Sequence, residues 1–492
     1  MTSRPKPAAG GEQPGGGREK YKLFQRKSYG QNMAMQDFHG NKPEHEGARD
    51  IEQGQNGDRY NHNAHKVEKH IEPDGESGRK WLHPIKMFAI MGRSSSKVSM
   101  MTNVLWPFTI AAMVLHWGFP EKELWIFITA YIGMIPAANL VGFAGQELAR
   151  KIPMVIGVVM ETTLGSIVEI VLFMVLIKGD KAGENIHIIQ AAILGSILAN
   201  LLLCLGLCFF IGGLFHPEQT FHEAISEVGS NLMLVAGFGL VIPTIYYQSL
   251  QGNPEFAGQD FNKGALEISR AAAIILLVAF LVYCFFQIRS HHGLYEDILK
   301  ADEHRDVDRH RDLVKPKLTF TEAVLAVLVG ILFVSLMAIF LVQNIEFIVT
   351  HHGVSDSFMG LILIPVVEKA AEHLTAMDEA YDNQMNFALS HVLGASIQTA
   401  LLNTPLVVIV GWGLGKDMSL KFELFDAVVL ILAIMVVGNF LRDEKSDYLE
   451  GALSVFVYVL IAVSAFYYPS PPELAGGTEG GGEAAHRLLK FI

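Results

Sequence analysis

Repeated apolar stretches of about twenty residues are the feature of this sequence that most limits its fold. Eleven such segments lie between residues 104 and 468, and each contains few charged side chains. A helix of about 20 residues spans the roughly 30 Å apolar core of a bilayer. Only 18% of the 492 residues are charged, whereas soluble domains carry charges on about a quarter of their positions. We therefore predict an all-α, polytopic membrane protein.

The apolar segments and the polar stretches around them divide the chain into five parts. The segments lie near 104–119, 123–145, 154–177, 186–213, 227–249, 268–289, 318–343, 354–378, 385–412, 420–441 and 447–468. The polar, glycine-rich residues 1–100 predict a disordered cytosolic tail, because they offer little apolar surface to bury. Residues 101–290 form the first membrane part, 291–317 a charged cytosolic loop, 318–468 the second membrane part and 469–492 a flexible C-terminal tail.

Basic residues in the short loops set the predicted orientation. A cytosolic N-terminus places Lys86, Arg93, Arg150, Lys151 and the basic residues of 290–317 on the cytosolic side, as the positive-inside rule requires. If the first span is an extra helix, five spans stand on each side of the charged loop. Because five is odd, the two halves then run in opposite directions through the membrane. We expect two inverted five-helix repeats, as in many secondary transporters.

Composition excludes several other classes of protein. The chain has 38 basic and 50 acidic residues, for a net charge of −12, which argues against a nucleic-acid partner. Its three cysteines, Cys204, Cys208 and Cys284, lie in apolar segments and provide no disulfide framework. The first residues are not followed by an apolar run, so we expect no cleavable signal peptide.

Acidic residues inside the spans are the strongest indication of function. Glu169 lies in the third span and Glu372 in the eighth, twelve residues after Gly157 and Gly360 respectively. An ionised side chain at the bilayer centre costs at least about 2.5–3.5 kcal/mol, so acids at matching points of two halves mark an ion pathway. Glu161, near the end of the third span, is either a functional group or an interface charge.

Polar groups near these two acids suit a cation. Gly165 and Glu368 each lie one helical turn before an acid, and Pro365 predicts a kinked or broken eighth span. Hydroxyl and amide oxygens are available in the spans that follow, from Ser196, Asn200, Ser396 and Gln398. Such an oxygen-rich set fits a hard cation such as Ca²⁺, which takes six to eight oxygens. His373 is either a proton relay or a satisfied interior histidine.

The chain resembles the Ca²⁺/H⁺ exchanger family of the cation/Ca²⁺ exchanger superfamily, particularly its fungal vacuolar branch. The family carries a Gly-Asn-Ala-x-Glu motif in each repeat, which Gly165 to Glu169 and Glu368 to Glu372 match in position. The segments 195–200 and 394–398 resemble the helices that follow the two motifs. The resemblance implies that Glu169 and Glu372 bind the cation in exchange for protons, with Ser196, Asn200, Ser396 and Gln398 as secondary ligands.

Three positions depart from the family motif. Ser166 and Lys369 stand where the motif has asparagine, and Glu368 stands where the second motif has glycine. An ammonium group within the site could replace one cation electrostatically and favour a monovalent substrate, and Glu368 offsets that charge if both groups are ionised. A related fungal branch exchanges Na⁺ and K⁺.

Proton-coupled antiport by alternating access is the function that these features predict, with Ca²⁺ moving from the cytosol into the vacuole. The alternative within the same fold is Na⁺/H⁺ or K⁺/H⁺ antiport. A channel and a non-transporting cation sensor are rivals from other classes, whereas an enzyme is disfavoured because the chain contains no His-Glu-x-x-His zinc pattern. We expect no cofactor, since the transported ions are substrates, and we expect the lipid bilayer as the main surrounding.

Overall fold

The fold is a bundle of long helices joined by short loops. In the computed structural model, residues 61–469 are described, except 62, 64, 69–70, 181–182, 252, 257–258 and 307–308. The predicted tail residues 1–60 and 470–492 lie outside this range. A two-residue antiparallel pair joins β1 (Gln219–Thr220) to β2 (Lys445–Ser446), with Gln219 opposite Ser446.

The helices follow one another with few interruptions. They are α1 (Pro84–Arg93), α2 (Lys97–Gly118), α3 (Glu123–Ala149), α4 (Met154–Gly179), α5 (Asn185–Phe215), α6 (Glu223–Gln251), α7 (Asn262–Ser290), α8 (His292–Glu303), α9 (Arg309–Val314), α10 (Phe320–His352), α11 (356–368), α12 (Ala370–Tyr381), α13 (Met385–Gly413), α14 (Leu424–Asp443) and α15 (Tyr448–Phe466). Among the described residues, ten helices are long and apolar enough to cross a membrane. The eighth predicted span, near 354–378, is divided between α11 and α12, so neither piece has spanning length.

The two halves of the bundle pack in a reciprocal way. The first helices of the halves, α3 and α10, form the largest helix contact. The last helix of the first half, α7, packs on the second part of α13, and the last helix of the second half, α15, packs on the second part of α5. Each half thus completes the other, as two repeats of opposite orientation require.

Wide π-helical turns occur at corresponding places in the two halves. One turn, Ala199–Cys204, interrupts α5, and the other, Thr399–Asn403, interrupts α13. A third, Met359–Leu363, lies in α11 immediately before Pro365. Single π turns inside α-helices occur frequently at functional sites.

Two glycines allow α5 and α11 to approach closely. A Cβ at Gly195 would overlap the backbone of Leu361, and a Cβ at Gly360 would overlap Ala191 and the carbonyl oxygen of Ile188. Small residues permit such close backbone contact between membrane helices. This contact brings α5 against the break in the eighth span.

Residues just before the first span are packed against the bundle. Arg79 forms an ion pair of 3.1 Å with the fully buried Glu322 at the beginning of α10, and the backbone N–H of His83 also donates to Glu322. The predicted disordered tail extends to residue 100, whereas the structure has helix α1 and this ion pair within that range. The difference has a physical cause, because a buried carboxylate needs a charged partner and the polar segment supplies it.

The charged loop contains an amphipathic helix that contacts α13. Tyr295, Ile298 and Leu299 of α8 are buried, and Asp302 accepts hydrogen bonds from the backbone N–H groups of Asn386 and Phe387. Burial raises the pKa of the Asp302 carboxyl above its usual value, although these hydrogen bonds oppose the shift. Helix α8 thereby caps the beginning of a helix that lines the candidate site.

The folding stability of the wild-type protein is expected to rise between about pH 8 and 10.5, and Lys317→Met is expected to reduce that rise. Burial lowers the pKa of Lys317 from 10.5 to about 8, and its ammonium group donates to the carbonyl oxygen of Asp74. In that pH window the unfolded chain binds more protons than the folded chain, so stability rises with pH. A shift of this size corresponds to roughly 3 kcal/mol. Unfolding temperatures in detergent at stepped pH measure the slope.

The exposed Lys80, which pairs with Glu68, provides a matched control. Lys80→Met should leave the slope unchanged. Equal slopes in wild type and Lys317→Met would contradict the assignment to Lys317.

Candidate functional site

A break in the eighth span places one lysine at the centre of the bundle. Helix α11 ends at Glu368 and α12 begins at Ala370, with Lys369 between them. Pro365 has no backbone N–H, and this removes one helical hydrogen bond just before the break. The predicted broken span is therefore confirmed. The corresponding helix of the first half, α4, continues without a break through Glu169.

Lys369 connects the two predicted acids. Its Nζ lies 3.0 Å from Glu169 Oε2 and 3.3 Å from Glu372 Oε2. The lysine side chain is 1% exposed and Glu169 is fully buried. The structure thus brings the two acids to one position between the halves, and the cation at that position is a group of the protein itself.

Glu169 is further held by two side chains of the second π turn. Thr399 Oγ1 and Asn403 Nδ2 each donate to Glu169 Oε2 at 2.8 Å. Glu169 Oε1 has no hydrogen-bond partner within the described part of the chain. Sequence analysis did not include Thr399 or Asn403 among the ligands. The available signal was their spacing of four residues, which places both on one helical face.

Glu368 and Ser196 form a separate pair beside the lysine. Ser196 Oγ donates to Glu368 Oε1, and both side chains are buried. Glu368 Oε2 has no hydrogen-bond partner among the described residues. Ser196 was predicted as a secondary ligand, and the structure places it on Glu368 instead of on Glu169 or Glu372.

The other predicted polar side chains, within the described residues, form hydrogen bonds with groups other than the two acids. His373 Nε2 lies 3.1 Å from Asn200 Oδ1. Gln398 accepts a hydrogen bond from Ser166 at 3.0 Å and donates to Thr162 at 2.6 Å, so it joins the second half to the first motif.

Ser396 differs from the other predicted ligands. Its hydroxyl group donates to the carbonyl oxygen of Val392, 2.8 Å away in the same helix. This bond uses the Ser396 hydroxyl hydrogen within α13 itself. A serine that bonds to its own helix is a common arrangement in apolar surroundings.

A cavity of about 470 Å³ reaches the site from one end. Glu372 lines it together with Gly165, Asn200 and His373, and so do Glu161 of α4 and His391 of α13. The Glu372 side chain is 21% exposed, whereas Glu169 is enclosed. Glu372 Oε1 has no hydrogen-bond partner among the described residues, whereas Oε2 faces Lys369 Nζ at 3.3 Å. An acid with one unpaired oxygen at the inner end of a cavity can take up a proton or a cation.

The described residues contain no group of three or more histidine, cysteine, aspartate or glutamate side chains placed to hold a metal ion. The ammonium group of Lys369 lies between Glu169 and Glu372, where a cation would bind. A complete Ca²⁺ shell of six to eight oxygens therefore requires the lysine side chain to move.

Gly165→Ala is expected to reduce cation-driven proton release by displacing Glu372. A methyl group at Gly165 would overlap Glu372 Oε1. Because misplacing a reacting group by about 1 Å can cost up to ~100-fold in rate, we expect a reduction of at least ~10-fold. The measurement is the initial rate of proton release from liposomes that contain the full chain.

Gly179, on the same helix, is the matched control. A methyl group there would meet its neighbours at ordinary contact distances of 3.8 and 3.9 Å. Gly179→Ala should retain the wild-type rate. A normal rate in Gly165→Ala would show that the close approach has no role in placing Glu372.

Reciprocal halves, a broken helix and paired acids between the halves define a secondary transporter for ions. The chain belongs to the sodium/calcium exchanger protein family, whose sequence profile matches residues 122–289 and 322–467. The resemblance stated from the two motifs is confirmed.

Individual relatives agree with this assignment. Over 371 residues, the chain is 31% identical to vacuolar cation/proton exchanger 2 of Oryza sativa subsp. japonica, covering 75% of this chain and 82% of the relative. It is 29% identical to the vacuolar calcium ion transporter of Schizosaccharomyces pombe, covering 78% and 89%. The structure of native YfkE has the same fold, with a TM-score of 0.60 and 24% identity over 75% of this chain and all of that chain.

Proposed function

We propose that this chain exchanges Ca²⁺ for protons and moves cytosolic Ca²⁺ into the vacuole. The observation that carries the proposal is the meeting of Glu169 and Glu372, one from each half, at a single cationic group. The vacuolar names of the relatives support a location in the vacuolar membrane. The basic loops support a cytosolic N-terminus. In this orientation the cavity beside Glu372 opens toward the cytosol.

Competition for the same oxygens couples the two ions. A cation at the position of Lys369 Nζ needs ionised Glu169 and Glu372, whereas protonation of these acids removes their attraction for it. The site therefore holds protons or the cation at any one time. An acidic vacuole supplies about 1.4 kcal/mol per pH unit for each proton that leaves it. Opposed movement of the two halves exposes the site to one side at a time.

A monovalent substrate is the second candidate, and Lys369 is the observation that favours it. With both acids ionised, the ammonium group leaves the pair one net negative charge, which matches a single Na⁺ or K⁺. Glu368, if ionised, restores a second negative charge beside the lysine. Charge balance thus depends on whether Lys369 stays between the acids when the substrate binds.

One reconstitution experiment separates these substrates. Full-length protein in liposomes with an acidic interior is titrated with Ca²⁺, Mn²⁺, Na⁺ and K⁺ while a dye reports the internal pH. Saturable alkalinisation by Ca²⁺ supports the first candidate, and alkalinisation by Na⁺ or K⁺ alone supports the second. Cation uptake that persists after the pH gradient is collapsed indicates a channel. Cation binding without uptake indicates a sensor.

A further inference from the structure

A histidine between two carboxylates lies in the cavity that leads to Glu372. His391 of α13 places its Nδ1 2.8 Å from Glu379 Oε2 of α12 and its Nε2 3.6 Å from Glu161 Oε2 of α4. The His391 side chain is only 10% exposed. Three helices from both halves of the bundle therefore converge on one imidazole ring.

The two ring nitrogens face different surroundings. Nδ1 is within hydrogen-bond distance of Glu379, whereas Nε2 has no hydrogen-bond partner among the described residues. His391 and Glu161 line the same cavity as Glu372. The ring thus has one nitrogen fixed on a carboxylate and the other on the side of Glu161, at the cavity that Glu372 also lines.

Charged and titratable groups approach this ring from each neighbouring helix. Glu161 belongs to α4, Glu372 and Glu379 belong to α12, and Cys204 of α5 also lines the cavity. Asp302 of α8 binds the first turn of α13, which carries the histidine. Acidic groups predominate around His391, so a proton that arrives there is stabilised by at least two nearby carboxylates.

We infer that His391 passes protons between Glu372 and Glu379, on the cytosolic side of the site. This inference rests on the proposed proton exchange. A proton leaving Glu372 crosses the cavity through water and binds Nε2, and the Nδ1 proton then moves to the Glu379 carboxylate. After Glu379 has released its proton to the cytosol, the ring turns so that its protonated nitrogen again faces Glu379. No other bond forms or breaks.

Such a relay separates the proton path from the cation path. Imidazole accepts a proton at one nitrogen and donates one from the other, so it can relay a proton without a cation following the same path. The cation uses the cavity itself, whereas the last proton step passes through Glu379, which does not line the cavity. Protons can therefore leave the inner site, and cations can enter it, along separate paths.

Chemical rescue of His391→Ala tests the relay in the full-length protein. Liposomes with an acidic interior receive Ca²⁺, Na⁺ and K⁺ together, so the result does not depend on which cation is the substrate. We expect proton release to be slower by about 10-fold or more, in line with lost acid–base groups elsewhere. Cation affinity, measured by the shift in unfolding temperature, should be unchanged. Added imidazole should restore the rate, because the deletion enlarges the existing cavity.

His391→Gln and His351→Ala are the companion variants. Glutamine keeps most of the side-chain volume and cannot relay, so it should be slow, stably folded and not rescued by imidazole. His351 is exposed at the end of α10, and its alanine variant should behave as wild type. A normal rate in both His391 variants, or loss of cation affinity without rescue, would overturn the relay. A wild type that exchanges no cation would instead overturn the proposed function.

Discussion

Glu169→Gln is expected to abolish cation-driven proton movement. The substitution keeps the size of the side chain but removes the charge that faces Lys369 Nζ at 3.0 Å. A glutamine can neither exchange a proton nor offer an anionic ligand, so both proton transfer and cation binding at this position are lost. We expect proton release in liposomes to fall by at least ~100-fold, as for other groups that act directly in proton transfer.

The exposed Glu227 on α6 is a control with the same chemical change. Glu227→Gln should transport normally. Because Thr399 and Asn403 still have an oxygen to bind in Glu169→Gln, the variant should fold. A folded Glu169→Gln protein that releases protons at the wild-type rate would remove Glu169 from the site.

Lys369→Asn is expected to make folding depend on a cation. The substitution leaves Glu169 and Glu372 without their shared partner in a buried site. Removal of one member of a buried ion pair typically costs about 3–5 kcal/mol, because the remaining charge is uncompensated. At pH 8 we expect a large decrease in unfolding temperature in cation-free detergent solution. Saturating Ca²⁺ should reverse it by occupying the vacated position.

Lys416→Asn distinguishes this effect from general destabilisation. Lys416 pairs with Asp180 at 3.6 Å, just after the end of α4 and outside the two motifs. Its loss should lower stability, and Ca²⁺ should not restore it. If Lys369→Asn is as stable as wild type without cations, or if Ca²⁺ fails to stabilise it, the ammonium group does not stand at the cation position.

The sequence predicted the elements of the site better than their contacts. Long apolar segments specify spans directly, and Glu169 and Glu372 stood out because charges inside spans are costly. Pro365 correctly indicated the broken helix. The partners of Ser196 and Ser396 were not predictable, because spacing along a helix does not reveal which neighbouring helix lies opposite.

Two further differences have the same origin. Asn403 was overlooked because it lies outside the short segments that resemble the family, although it binds Glu169 at 2.8 Å. The segment around Arg79 was interpreted as part of a disordered tail because its composition is polar. Its order comes from the buried Glu322, which is 243 positions away in the sequence. Long-range pairing of this kind leaves no local pattern.

The unequal exposure of the two acids imposes a sequence of events on the exchanger. Glu372 borders the cavity, whereas Glu169 lies behind Lys369 and is enclosed. A proton or cation that enters through this cavity meets Glu372 before it reaches Glu169. Loading is therefore ordered rather than random. Glu169, the enclosed acid, is the last to receive a proton or cation and the first to be closed off when the protein closes.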